Sequence, residues 1–363
     1  MYSTSDARAV YGTDRTNKPS GFPMSEDDIH RIEDTVGSKP ILDEVVSYRT
    51  KNKLLGTYVS PFLHTSSVQG TIHPKLNTTT TATGRLSSSN PNGQNQPPAS
   101  RELICAERFD SDIVEIDFKQ LEMVGAATLS GCPSMIEAIN NGEDLHYNSG
   151  RSVMGWTDPS DMVAKDRKLV KNVNFGVLYG GKAKGLAAQT GVSTTIIQSL
   201  IDSFYKAYPG VRVWQKSLFK WVVDNMRTHD ICKGEQRYAS TYTLPISQRR
   251  FTFVENEAPQ WVKSTTGRGY SFSPNHTANY PIQGFAGGDL VMWALTWLWR
   301  AIRVSGYSDK VKFIMTVHDS IVLEVQHGTH VDVITKAMCA ETVKHFNLPV
   351  PLECDVESGQ YWK

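Results

Sequence analysis

The stretch RKLVKNVNFGVLYG, Arg167 to Gly180, decides how this chain reads. Laid on a helix, Arg167, Lys171, Phe175 and Tyr179 stand four residues apart, and each four-residue step drifts by only about 40°. Two cations and two rings therefore share one stripe, about 18 Å long at about 1.5 Å per residue. That length suits a triphosphate with its base attached: the cations would neutralise phosphates and the rings would stack on a base. Lys165, Lys168, Lys182 and Lys184 flank the stripe against the single acid Asp166. Spacing alone fits equally a basic surface helix with two aromatic residues turned to a core.

Outward from this stretch, the chain is long enough at 363 residues for a substantial core and two or three lobes. Its 38 Lys plus Arg against 37 Asp plus Glu disfavour a uniformly basic nucleic-acid binder, yet allow a basic cleft in an acidic surface. Five cysteines with no C-x-x-C pair indicate neither a zinc site nor a disulfide framework, and point to a reducing intracellular setting. The amino terminus, MYSTSDARAVYG, lacks the apolar core of a signal peptide. No apolar run reaches membrane-spanning length, so a soluble, cytoplasmic protein is expected. Ser25 and Asp28 have capping-box-like spacing ahead of IHRIEDTV, and the acids Glu26, Asp27 and Asp28 read as helix-dipole partners rather than metal ligands.

Residues 77–100, NTTTTATGRLSSSNPNGQNQPPAS, are nearly free of charge and rich in turn formers, so they read as a loop whose one charge is Arg85. IVEID at 113–117 predicts a buried strand running into a helix, FKQLEMVGAATL, with Asp117 at the switch. Residues 135–271 read as mostly helical, broken at Pro209-Gly210. VKFIMTVHDSIVLEVQ at 311–326 predicts a hairpin whose turn holds His318, Asp319 and Ser320. Asp117 and Asp319 lie 202 residues apart, and nothing local brings them together. Taken singly, each is a capping or turn residue. Taken as a pair, they fit nucleotidyl transfer, in which two divalent ions about 4 Å apart neutralise the attacking and leaving oxygens. Magnesium keeps several waters, so two carboxylates plus substrate phosphates suffice to hold it.

R-x-x-x-K-x-x-N-F-G-x-x-Y-G resembles the fingers-helix signature of the DNA polymerase I family, family A. DFKQLE at 117–122 resembles its first palm motif, D-Y-S-Q-I-E, and VHDS at 317–320 its last, V-H-D-E. MIEAINNGEDLH, TATGRLSSSNPNGQN and NYPIQG at 279–284 match further blocks in the family's order, as far as the terminal GQYW. The resemblance implies an α+β right-hand polymerase fold with an antiparallel-sheet palm, helical fingers and a reduced helical thumb. The regions would be a thumb-like 1–76, palm at 77–134 and 272–363, and fingers at 135–271. It implies a template-directed DNA polymerase, with Asp117, Asp319 and the Phe118 carbonyl holding two Mg2+ ions, for which Mn2+ could substitute. Arg167, Lys171 and His146 would bind phosphates, with Lys171 also a proton donor, and Gln120 would join the nucleotide site. Phe175 would pack near the sugar, Tyr179 would stack at the templating position, and Glu122 would crowd a ribose 2′-hydroxyl. Arg85 would enter the minor groove, and Asn279, Gln283 and His318 would contact template and primer. Partners would be primer-template DNA and dNTPs, with a separate exonuclease, thumb-supplying or processivity chain.

Departures from the pattern carry expectations of their own. Ser320 stands where the family has an acid, and Lys119 replaces a small residue. Val124 and Asn275 stand where arginines are usual, so DNA is expected to be held weakly. No room is left for a proofreading or 5′-nuclease domain, and the compact size points to a phage or other mobile element. A single-subunit RNA polymerase shares the fold and the H-D-S motif, but Glu122 and Phe175 argue against it. The third reading, a catalytically idle replication-assembly protein, is disfavoured by intact Asp117, Asp319, Arg167 and Lys171.

Overall fold

The computed structural model describes residues 40–362, which fall into two compact units; the expected cap at Ser25 and the acids beside it lie outside the described residues. The described part of the first unit joins residues 40–74 to Asn90–Leu103. It holds α1 (Pro40–Lys53), a π-helical segment (Leu54–Val59), α2 (Ser60–Gln69) and a single turn, α3 (Pro98–Arg101). Its turn-rich stretch is held by side-chain amides: the Ser100 hydroxyl donates to Gln96 Oε1 at 2.8 Å, and the Asn92 side chain accepts from the Gln94 amide at 3.0 Å. Asn and Ser favour such local bonds over regular structure.

The second unit comprises Lys75–Ser89 and the chain from Ile104 onwards. Its first pairing is β1 (Lys75–Asn77) with β2 (Ser87–Ser89), so part of the block read as loop is a short ladder. The strand β3 (Ser111–Phe118) and the helix α4 (Leu121–Ser130) follow the predicted switch. Between them Gln120 takes a left-handed φ of 47°, and its carbonyl accepts from the Met123 and Val124 amides to start the helix. Next come α5 (Pro133–Asn140), α6 (Leu145–Met154), α7 (Ala164–Leu178), α8 (Ala183–Thr190), α9 (Thr194–Ala207) and α10 (Pro209–Asp224). Pro209 opens α10 at a position where its missing N–H costs nothing.

Beyond α10 the helical expectation fails. β4 (Arg227–Cys232), β5 (Glu235–Thr243) and β6 (Arg250–Val254) form an antiparallel sheet. Lys233 and Gly234 both have positive φ (51° and 79°) between the paired Cys232 and Glu235, which is a type I′ hairpin turn. The residues YASTYT and FTF, aromatic and β-branched, were the available signal, masked by the charged and exposed β4.

The chain continues through β7 (Asn256–Glu257), α11 (Gln260–Thr266), β8 (Tyr270–Ser271), α12 (Pro274–Gln283), a π-helical segment (Gly284–Leu290) and α13 (Val291–Val304). The predicted hairpin is β9 (Val311–Val317) and β10 (Ser320–Gln326), followed by α14 (Asp332–Phe346) and β11 (Cys354–Gly359). These strands form one antiparallel sheet in the order β11–β3–β10–β9. Alternation splits its two faces. Val114, Ile116 and Phe118 join the main core with the helices, while Ile113 packs with Met315, Val317, Val322 and Trp362 on the other side.

Candidate active site

Strand register makes the decisive juxtaposition. Ser320 pairs with Asp117, and the Phe118 amide donates to the Asp319 carbonyl at 3.1 Å, so the two aspartates sit at the same end of neighbouring strands. Asp319 is the second residue of a two-residue hairpin loop whose first, His318, has φ 53°. A left-handed non-glycine residue costs roughly 1–2 kcal/mol, which the paired strands on either side enforce. Partial burial pushes the Asp117 carboxyl up to about 6, and the charges of Asp319, Glu115 and Asp355 push the same way against Lys171. Asp319 is also raised, by burial and by Glu122, with Arg85 and His318 opposing. An exposed and a partly buried carboxylate whose ionised forms repel one another make a donor set suited to hard divalent cations. Among the described residues no three carboxylate, His or Cys side chains converge into a ready cage. Substrate phosphates and waters would have to complete the coordination.

The helix α7 brings cations to this pair. Its buried side is Val170, Val173, Asn174, Val177 and Leu178, which leaves Arg167, Lys171 and Phe175 on another face as the spacing predicted. The Lys171 ammonium lies 5.8 Å from the Phe175 ring centre and draws the Asp117 carboxyl down. Arg167 donates from Nε at 3.1 Å and Nη2 at 2.9 Å to Asp144 Oδ2. Asp144 Oδ1 caps α6 by accepting from the His146 and Tyr147 amides. Tyr179 ends the stripe differently from the helical reading: it is the C-terminal cap of α7, with φ −90° and ψ 14°.

His146 is buried behind the stripe. It is 1% exposed, its Nδ1 meets Asn174 Nδ2 at 2.9 Å, and its ring packs edge-on against Phe175 with centres 6.0 Å apart. Burial, helped by Arg167 and Lys171 against Asp144, holds its pKa down to about 4. Asn174 also donates to Ser149 Oγ at 2.7 Å. The aromatic side of the stripe is thus braced from behind by a buried polar network.

A second cluster surrounds Glu122, in the first turn of α4. Arg85 Nη2 donates to Glu122 Oε1 at 2.6 Å, and the Tyr179 hydroxyl donates to the same oxygen at 3.3 Å. Burial and Glu122 both raise the Tyr179 phenol, which therefore stays protonated. Arg85 lies against Gly287 of the π-helical segment: a Cβ there would come within 2.3 Å of Arg85 Nε. Gly84 admits Arg249 in the same way, and Arg249 Nε donates to Asp289 at 2.6 Å. Asn279 and Gln283 stand one turn apart on α12, and Gln283 draws the Tyr179 phenol down against burial and Glu122. Gln120 lines a groove with Lys119, Glu143 and Glu353. The missing arginines have plain replacements: Val124 is buried in the core, and Asn275 packs beside Gly180.

Sequence reading passed over Glu115, Asp144, Asn174, Arg249, Asp289 and Asp355. Asn174 and Asp144 lay within blocks already singled out, and Glu115 is the odd polar residue in an apolar strand. For Arg249 and Asp289 no local signal existed.

The sequence model of DNA polymerase family A matches residues 8–363. The chain belongs to DNA polymerase family A. This family A chain is 30% identical over 351 residues to DNA polymerase I of Streptococcus pneumoniae, covering 94% of its own length and 37% of the relative. It is 30% identical over 339 residues to the thermostable DNA polymerase I of Thermus filiformis, covering 90% and 36%. It therefore spans just over a third of the length of these curated relatives. Among solved structures it is similar to the POL domain of Pol1 from M. smegmatis in complex with DNA primer-template and dNTP, with a TM-score of 0.75 and 25% identity, covering 99% of this chain and 60% of that one. The α+β polymerase fold expected of the family A chain is the one observed. No helix among the described residues is long and apolar enough to cross a membrane.

Proposed function

We propose that this chain carries template-directed DNA polymerase activity, adding deoxynucleotides to a primer 3′-hydroxyl. The observation that carries the reading is the register that sets Asp117 and Asp319 side by side beneath Lys171. Asp117, Asp319 and the Phe118 carbonyl would hold a pair of Mg2+ ions, with Mn2+ as a substitute. When bound, those ions supply activation of the hydroxyl and charge neutralisation at the α-phosphate and departing pyrophosphate.

The chain's own groups do the rest. Lys171 binds the outer phosphates and can give its proton to the leaving oxygen. Arg167 joins it by exchanging Asp144 for phosphate, both being anionic acceptors of the same fork. Glu122, pinned by Arg85 and Tyr179, fills the space a ribose 2′-hydroxyl would need and so favours deoxynucleotides. His146, held by Asn174, positions Phe175 against the sugar, with its other ring nitrogen left to reach phosphate. Tyr179, Asn279, Gln283, Arg85 and His318 would face template and primer, with Gln120 at the edge of the nucleotide site. Partners would be primer-template DNA and dNTPs, with a separate exonuclease or processivity chain completing the work.

Primer extension on a DNA template with Mg2+ tests this directly. Incorporation of deoxynucleotides with ribonucleotides strongly disfavoured is expected. Efficient ribonucleotide incorporation would move the chain to RNA synthesis, and no incorporation of either would leave an assembly role.

A further inference from the structure

The family pattern V-H-D-E puts an acid directly after the hairpin aspartate, and here that position is Ser320. The structure sets a carboxylate against that residue from the neighbouring strand. Ser320 Oγ lies 2.6 Å from Glu115 Oε1, the shorter of its two acceptor contacts, the other being the Val317 carbonyl at 3.1 Å. Ser320 is 2% exposed, so this bond is made in a largely dry setting. Glu115 stands two residues before Asp117 on β3, hence on the same sheet face, diagonal to Ser320 across the β3–β10 ladder. Its second oxygen accepts from Trp362 Nε1 at 2.7 Å, which fixes the carboxylate from the carboxyl-terminal side. Around it that face is apolar: Ile113, Met315 and Val322. A charged group in such a strand position is costly unless it has a use.

We propose that the acid has moved one strand over: Glu115 is a positioning residue for nucleotidyl transfer, anchoring the Asp319 turn through Ser320 and adding negative charge beside Asp117. The inference rests on the polymerase reading above. It makes a reciprocal demand, because serine and glutamate should be exchangeable as a pair and not singly.

The test compares the parent with Glu115→Ser, Ser320→Glu, the double exchange and Glu115→Gln. Two readouts are taken: extension kinetics with Mg2+, and the rise in melting midpoint when Mn2+ is added without DNA or nucleotide. Glu115→Ser and Ser320→Glu should each lower kcat at least about tenfold with KM for dNTP within about twofold, and the double exchange should return to within about threefold of the parent. The Mn2+-induced rise should shrink in Glu115→Ser and return in the double exchange. Glu115→Gln, whose carbonyl can accept from Trp362 Nε1 while its NH2 donates to Ser320 Oγ and that hydroxyl turns to the Val317 carbonyl, removes the charge alone, so it should keep its melting midpoint and lose part of the Mn2+ response. A double variant as impaired as the product of the singles overturns the proposal. So does an unchanged Mn2+ response in Glu115→Gln, which would reduce Glu115 to a structural brace. If the parent itself extends no primer, the polymerase reading fails, and the melting data still decide whether Glu115 and Ser320 act as one unit.

Discussion

Asp117 shows how much chemistry one residue takes from its neighbours. Its carboxyl is raised to about 6 by burial and by three nearby acids, so extension should fall as pH drops through that value, where the protonated acid no longer attracts a cation. The linkage runs the opposite way for stability. A folded-state pKa raised above its unfolded value means the folded chain binds the proton first, so stability falls as pH rises from about 4 to about 6. Asp117→Asn should therefore raise the melting midpoint at pH 8, with the gain vanishing near pH 4, while abolishing extension. A lowered midpoint at pH 8 would contradict the crowding of like charges. Asp319→Asn should cut extension by at least about a hundredfold while primer-template binding, followed by fluorescence anisotropy, stays near the parent's. Residue types were legible here, since an acid at a strand's end and an acid in a hairpin turn are visible in one dimension. His146 was not. Its block matched, but the burial of its ring against Phe175 and Asn174 is set by packing and not by its own neighbours in sequence.

At the scale of elements, legibility followed periodicity. α7 was readable because its apolar residues recur with the helical period, and the β9–β10 hairpin because two apolar runs flank a short polar turn. The β4–β6 sheet was missed because β4 is largely exposed and charged, and its ladder is recognised through β5. Its I′ turn offers a clean stability test. Gly234 has φ 79° with open space around its Cβ position, so Gly234→Ala should cost roughly 1–2 kcal/mol from backbone strain alone, seen in urea unfolding. The extension rate should be unaffected. Gly287→Ala should do the reverse. Helix propensity favours alanine by about 1 kcal/mol, but its methyl group would displace Arg85 from Glu122, lowering extension and loosening discrimination against ribonucleotides. Competitive incorporation measures that change.

Across the whole molecule, charge balance bears on the proposed hold on DNA. The chain is balanced at 38 cations to 37 acids, with valine buried at 124 and asparagine packed at 275 where the family pattern has arginines. If the chain acts on DNA as proposed, the loss of those two arginines removes phosphate contacts, so each binding event should add only a few nucleotides in the presence of a DNA trap, and fewer as salt rises. Long, salt-insensitive products from a single encounter would refute weak grip. The sequence by itself determined the family blocks, the cationic stripe of α7 and the two aspartates at their turns, because these depend on residue type and local period. Only the tertiary structure decided that Asp117 meets Asp319, that Arg85 and Tyr179 share one oxygen of Glu122, and that Glu115 stands behind Ser320. Those pairings join residues 37 to 205 positions apart, where strand register and close glycine contacts, not local propensity, choose the partner.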